Sequence, residues 1–148
     1  MILNSECLGC RLSNQLESVN IVFENEYVCC ILDIEPFNEG HTLILPKKHY
    51  LDTEELDVET ANAIMIASMT ISKALKKLFQ PDGITICQNG GKFNDLTHYH
   101  MHVIPRFEGE PFYYEEQKDN IEEKANFIET KNRLKDMIEE IIDRQSEF

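Results

Sequence analysis

The sequence predicts one α+β domain: a five-stranded, mainly antiparallel sheet carrying a long central helix and a C-terminal helix. Three observations lead there. Five short β-rich segments are separated by turn residues. Two long stretches, one mid-chain and one at the end, repeat their apolar residues with helical period. The strands mostly follow one another through hairpin-like connections instead of alternating with helices, which favours an antiparallel sheet.

The elements follow in order. Residues 19–24 and 27–32 read as two strands joined through Asn25-Glu26 as a hairpin. Residues 33–40, with Pro36 and Gly40, form a loop, and the β-rich run 41–45 ends at Pro46. A helix is expected over 58–79, where Ile64, Ile71, Leu75 and Leu78 fall on one face. Asp57 caps its start, and Pro81-Asp82-Gly83 ends it. Residues 84–88 form a strand that opens into Asn89-Gly90-Gly91, and 97–104 form another, stopped by Pro105. Finally, 120–145 reads as an amphipathic helix with Phe127, Leu134, Ile138 and Ile141 on its apolar stripe. The expected organisation is a main domain over 1–116 and a C-terminal helix, 117–148, packed on it.

Composition narrows the function. With 14 Lys plus Arg against 27 Asp plus Glu, the net charge is −13. A long nucleic acid is held mainly by clustered cations, so it is not an expected partner. A small phosphate-bearing ligand remains open, because distant surface charges are screened beyond about 8 Å at physiological salt. No apolar run approaches the ~20 residues of a membrane span, and residues 1–10 lack the basic and apolar regions of an export signal. The expected location is cytoplasmic, where the five cysteines stay reduced.

The most informative stretch is His98-Tyr99-His100-Met101-His102-Val103-Ile104. On a strand, alternate side chains share a face, so the three histidines point one way. From first to last they span about 13 Å at about 3.3 Å per residue, so one tetrahedral ion cannot collect all three. The other chemistry open to such a row is nucleophilic catalysis on phosphorus, in which an imidazole attacks, forms a transient phosphohistidine, and is released by water. Upstream, Cys7-Leu8-Gly9-Cys10 has a spacing that lets two thiolates reach one ion. A redox pair would have the same spacing, but the βαβ context of a thioredoxin-like motif is missing.

The row resembles the histidine-triad pattern, His-φ-His-φ-His-φ-φ with φ apolar. Asp33-Ile34-Glu35-Pro36, Gly40-His41-Thr42-Leu43-Ile44-Leu45-Pro46, Gln88-Asn89-Gly90-Gly91 and Pro105-Arg106 are similar to further segments of that family in the same order. The resemblance implies a histidine-triad fold and a homodimer whose sheets join. It also implies a nucleotide hydrolase or nucleotidyl transferase acting at the α-phosphate of nucleoside-monophosphate conjugates, of dinucleoside polyphosphate or phosphoramidate type. His100 resembles the nucleophile, His98 and His41 the supporting histidines, and His102 the phosphate and leaving-group contact. Asp33 is similar to the ribose acceptor, Ile34 to the base-flanking residue, and Asn89 and Asn94 to phosphate-side contacts. The expected ligand is a purine nucleotide or its conjugate. In zinc-bearing relatives the Cys pair is completed by residues matching His49 and His98, which implies a structural zinc at Cys7, Cys10, His49 and His98 and no organic cofactor. The alternative is a dimeric nucleotide-binding module with structural zinc and no turnover.

One stretch departs from the pattern. Relatives commonly carry small-Gly-Gln-Ser/Thr before the triad, whereas Phe93, Asn94 and Asp95 stand here. Gly90-Gly91-Lys92 lacks the earlier Gly and following Ser/Thr of a P-loop.

Overall fold

The computed structural model describes residues 6–111 and 126–146. Strands β1 (Ile21–Glu24), β2 (Val28–Leu32), β3 (Thr42–Pro46), β4 (Gly83–Cys87) and β5 (Met101–Arg106) form one sheet in the order β1-β2-β3-β5-β4. Every pairing is antiparallel, as expected. The hairpin between β1 and β2 is closed by Asn25, whose side-chain oxygen accepts from the Tyr27 and Val28 amides at 2.9 and 3.0 Å. That is the local bonding that makes Asn a turn former.

The central helix α2 (Val58–Phe79) has the expected bounds. Asp57 accepts the Thr60 amide at its N-terminus, and Gln80, at φ 48, turns the chain left-handed before Pro81 ends the helix. The C-terminal helix α3 is described over Phe127–Ser146; the expected start at 120 lies outside the described residues. Both helices cover the same sheet face. Ile64, Ile71 and Leu75 of α2 and Leu134, Ile138 and Ile141 of α3 join Val22, Cys30, Ile44 and Val103 in one buried core.

The opposite face carries Cys29, Ile31, Leu43 and Leu45, with Leu12 and Leu96 packed on them. Alternation decides which residues reach it: Leu43 lies opposite His102 on β5, while Thr42 and Ile44 pair with Val103 and Met101 towards the helices. His98, His100 and His102 therefore share a face, with Tyr99 and Val103 in the core on the other side. Burial pushes the Cys29 thiol up to about 12 and that of Cys30 well above its usual value, so both behave as core side chains.

Two differences from expectation have local causes. The triad strand is ladder-bonded only from Met101 and runs through Pro105 to Arg106. The Pro105 carbonyl accepts from the Asn38 side chain at 2.8 Å, which places the proline nitrogen on that same flank, away from β4. No ladder bond to β4 is lost there. Second, a six-residue helix, α1 (Leu8–Ser13), stands where a polar segment was expected. Its N-cap is a thiol: Cys7 Sγ accepts from the Cys10 amide at 3.4 Å. No helix among the described residues is long and apolar enough to cross a membrane.

Candidate active site and metal site

The histidines divide into two groups. At the start of the row, His98 is fully buried against α1. A Cβ on Gly9 would lie 2.2 Å from His98 Cβ, so only glycine lets the helix approach this closely. His98 Nε2 lies 2.8 Å from the Pro46 carbonyl, which can only accept, so that nitrogen holds the proton. The lone pair is left on Nδ1, 3.5 Å from Cys7 Sγ and 3.5 Å from Cys10 Sγ. His49 Nδ1 is 3.3 Å from Cys10 Sγ. Zinc held tetrahedrally at its usual bond lengths separates nitrogen and sulfur ligands by about 3.5 Å. The four donor atoms all lie within 4.8 Å of one another, and they suit a closed four-ligand metal site. The Pro46 carbonyl supplies the outer hydrogen bond that fixes a metal-binding imidazole.

The chain reaches this point through a left-handed residue, Thr97 at φ 51, a costly conformation for a β-branched side chain. The Asn94 amide donates to the Leu51 and His98 carbonyls, at 3.3 Å each, and its oxygen accepts from the Leu96 amide at 3.0 Å. Asn94 thus braces the loop before the triad and is not directed at a phosphate. Asn89 is exposed and does not line the cleft described below.

The second group surrounds His100. Its Nδ1 is 2.8 Å from the His98 carbonyl, again an obligate acceptor, which leaves the lone pair on Nε2. His102 follows, with ring centroids 5.0 Å apart. Its proton is set by a relay. The Phe37 amide donates to His41 Nδ1 at 3.0 Å, so His41 carries its proton on Nε2 and donates to His102 Nδ1 at 2.9 Å. His102 in turn keeps its hydrogen on Nε2. Burial first, then the neighbouring imidazoles, lower His41 to about 3; burial with the His100 charge lowers His102 to about 4. Both rings are neutral at physiological pH. The row therefore offers a lone pair at His100 and an N–H at His102, side by side.

Asp33, just after β2, approaches His41 Nε2 at 3.4 Å and His102 Nδ1 at 3.9 Å. An ion pair would lower a carboxylate, but burial outweighs everything else and raises Asp33 to about 6. With His41 held neutral by the Phe37 amide, this is a desolvated carboxylate, not half of a salt bridge. Asp33, His41 and His102 are close enough to suggest a second metal cluster. The 2.9 Å nitrogen–nitrogen contact instead holds a shared proton, which leaves no pair of lone pairs for an ion. A carboxyl group raised in the folded state stabilises fully below the unfolded value near 3.8, and that contribution is lost as pH rises through about 6. Asp33→Asn is accordingly expected to be more stable than wild type by about 2 kcal/mol above pH 7. The advantage should vanish below about pH 4. Thermal melts of both proteins across pH test this; equal pH profiles would contradict it.

These groups open on a cleft of about 470 Å³ on the sheet face opposite α2 and α3. Its floor includes Ile31, Leu43, His100 and His102, and Asp33 and Ile34 form one edge. Ile34 is 71% exposed, an apolar side chain held out beside a polar site. Leu8 and Leu12 of α1 form another wall, a contribution that the sequence reading missed because α1 itself was missed. Asp95 also lines the cleft, with its carboxylate 3.5 Å from His100 Nε2 and its side chain 93% exposed.

A row of neutral imidazoles beside a paired-cysteine metal site, on this sheet, narrows the family to one. The HIT domain model matches residues 15–109. The chain belongs to the HIT family. It is 41% identical over 107 residues to an uncharacterized HIT-like protein of Methanocaldococcus jannaschii, across 70% of this chain and 81% of that protein. It is 32% identical over 107 residues to the adenosine 5′-monophosphoramidase HNT1 of Saccharomyces cerevisiae, across 70% of this chain and 65% of that one. Among solved structures, a zinc-bound histidine triad family protein from Mycobacterium smegmatis superposes with a TM-score of 0.78 at 28% identity, covering 93% of this chain and 96% of the other. The five-stranded antiparallel sheet with its helices is the HIT fold.

Proposed function

We propose that this HIT protein is a nucleotide hydrolase or nucleotidyl transferase that cleaves at the α-phosphate of nucleoside-monophosphate conjugates through covalent attachment to His100. The observation that carries this reading is the 2.8 Å contact between His100 Nδ1 and the His98 carbonyl. It commits the proton to Nδ1 and presents the Nε2 lone pair to the cleft. In the first step that pair bonds to phosphorus, and the bond to the leaving group breaks. The leaving group departs with its electron pair and takes a proton from solvent. Water then attacks phosphorus, the N–P pair returns to Nε2, and the water proton passes to solvent as the nucleoside monophosphate is released. An acceptor other than water makes the same sequence a transfer. His102 Nε2–H donates to a phosphoryl oxygen where negative charge develops. Asp33 accepts from ribose hydroxyls, and Ile34 flanks the base.

Zinc held by Cys7, Cys10, His49 and His98 is structural in this reading, since four protein ligands leave no position for substrate. Its role falls to His98, which joins the metal through its ring and orients His100 through its carbonyl. The protein is further expected to dimerise. β4 is an outer strand of the sheet, with Ile86 half exposed, so its edge can pair with a second copy and extend the sheet.

Acid-quench trapping tests the central claim. Incubation with an adenosine phosphoramidate, then mass spectrometry at high pH, is expected to find an adenylyl group on His100. Turnover with no modified histidine at any time point would defeat it.

A further inference from the structure

The hydrolase reading leaves two leaving-group classes open, and Asp95 separates them. It is the charged side chain recorded closest to the nucleophile, with Oδ1 3.5 Å from His100 Nε2. Any phosphorus bonded to that nitrogen brings its substituents within a few ångströms of this carboxylate. The rest of the cleft reinforces its sign. The other charged residues lining it are Glu17, Asp33 and Glu35, and no Lys or Arg lines it among the described residues. Glu17 is already paired with Arg11 at 2.9 Å. Asp33 lies towards the proposed ribose end, so Asp95 is the carboxylate that meets the group departing from phosphorus.

A phosphoramidate brings one negative charge on its phosphoryl group, and its amine leaves neutral or, after protonation, cationic. A polyphosphate leaving group brings further negative charge to a wall that offers no counter-charge. We propose that Asp95 sets leaving-group specificity, disfavouring anionic leaving groups and favouring neutral or cationic amines, so that this chain acts on nucleoside phosphoramidates and not on dinucleoside polyphosphates. The inference rests on the hydrolase reading above. Being exposed, the Asp95 side chain can move aside for the phosphoryl group and still face the departing amine as a hydrogen-bond acceptor.

The test uses three adenosine 5′-phosphoramidates whose amines end in an ammonium, a neutral amide or a carboxylate, with diadenosine tetraphosphate as the polyanionic case. Release of adenosine monophosphate gives kcat/KM for wild type, Asp95→Asn and Asp95→Glu. Wild type is expected to prefer ammonium over amide over carboxylate, by about tenfold per unit charge at low salt. That spread should narrow as salt shortens the screening length. Asp95→Asn should remove about tenfold of the ammonium-to-carboxylate ratio and raise relative activity on the tetraphosphate, while Asp95→Glu keeps the wild-type order. An unchanged ratio in Asp95→Asn, or a wild-type order that ignores salt, overturns the assignment of Asp95 alone. If no compound yields monophosphate in any of the proteins, the hydrolase reading falls and takes this inference with it.

Discussion

His100→Ala is expected to lower kcat for release of nucleoside monophosphate by a factor of about 10⁴ or more, the scale seen when a covalent nucleophile is removed. The His100 side chain is buried at the cleft floor, 3% exposed, and its hydrogen bond runs to the backbone. The deletion therefore takes away the attacking pair without stripping a partner from another side chain. Nucleotide affinity, measured by equilibrium dialysis with adenosine monophosphate, should change far less than turnover, because Asp33 and Ile34 remain. A nucleotide-binding module without chemistry would give the opposite pattern: the same affinity in both proteins, and no monophosphate from either.

Removing the metal is expected to have the next largest effect, and to act on stability first. Structural zinc contributes on the order of 10 kcal/mol of apparent binding free energy, all of it folding free energy where the ligands are not preassembled. Treatment with a strong chelator, or Cys10→Ser, should abolish one equivalent of bound zinc by metal analysis and lower the melting temperature by more than about 10 °C. Activity should then fall in step with the loss of folded protein. If turnover instead stops the moment zinc leaves, while circular dichroism and melting are unchanged, the ion is catalytic and the four-ligand assignment is wrong.

These expectations depend on distances that sequence spacing only partly reports. The elements with strong periodicity were legible. The helix over 58–79 has the observed bounds because its apolar stripe, its Asp57 cap and the Pro81 stop all agree. The alternation of His98, His100 and His102 against Tyr99 and Val103 holds even though the ladder begins only at Met101, since an extended backbone keeps the same two-residue repeat. Helix α1 was not legible. Six residues are too few for a periodic signal, and its supports are a thiol cap and the close approach of Gly9 to His98, which is distant in sequence. Asn94 was misleading in a different way. Its resemblance suggested a phosphate contact, but its amide is taken up by two backbone carbonyls that only the folded loop brings within reach.

By itself, the sequence determined the order of strands and helices, the shared face of the triad, and the residue types able to hold a metal or attack phosphorus. Those properties follow from local repeat and side-chain chemistry. Only the tertiary structure decided which nitrogen of each histidine carries the proton. An imidazole is a donor or an acceptor according to the partner opposite it. Those partners are the Pro46 and His98 carbonyls and the Phe37 amide, set by loop and strand packing. The same packing gathered Cys7 and Cys10 with His49 and His98, and brought Asp95 beside the nucleophile.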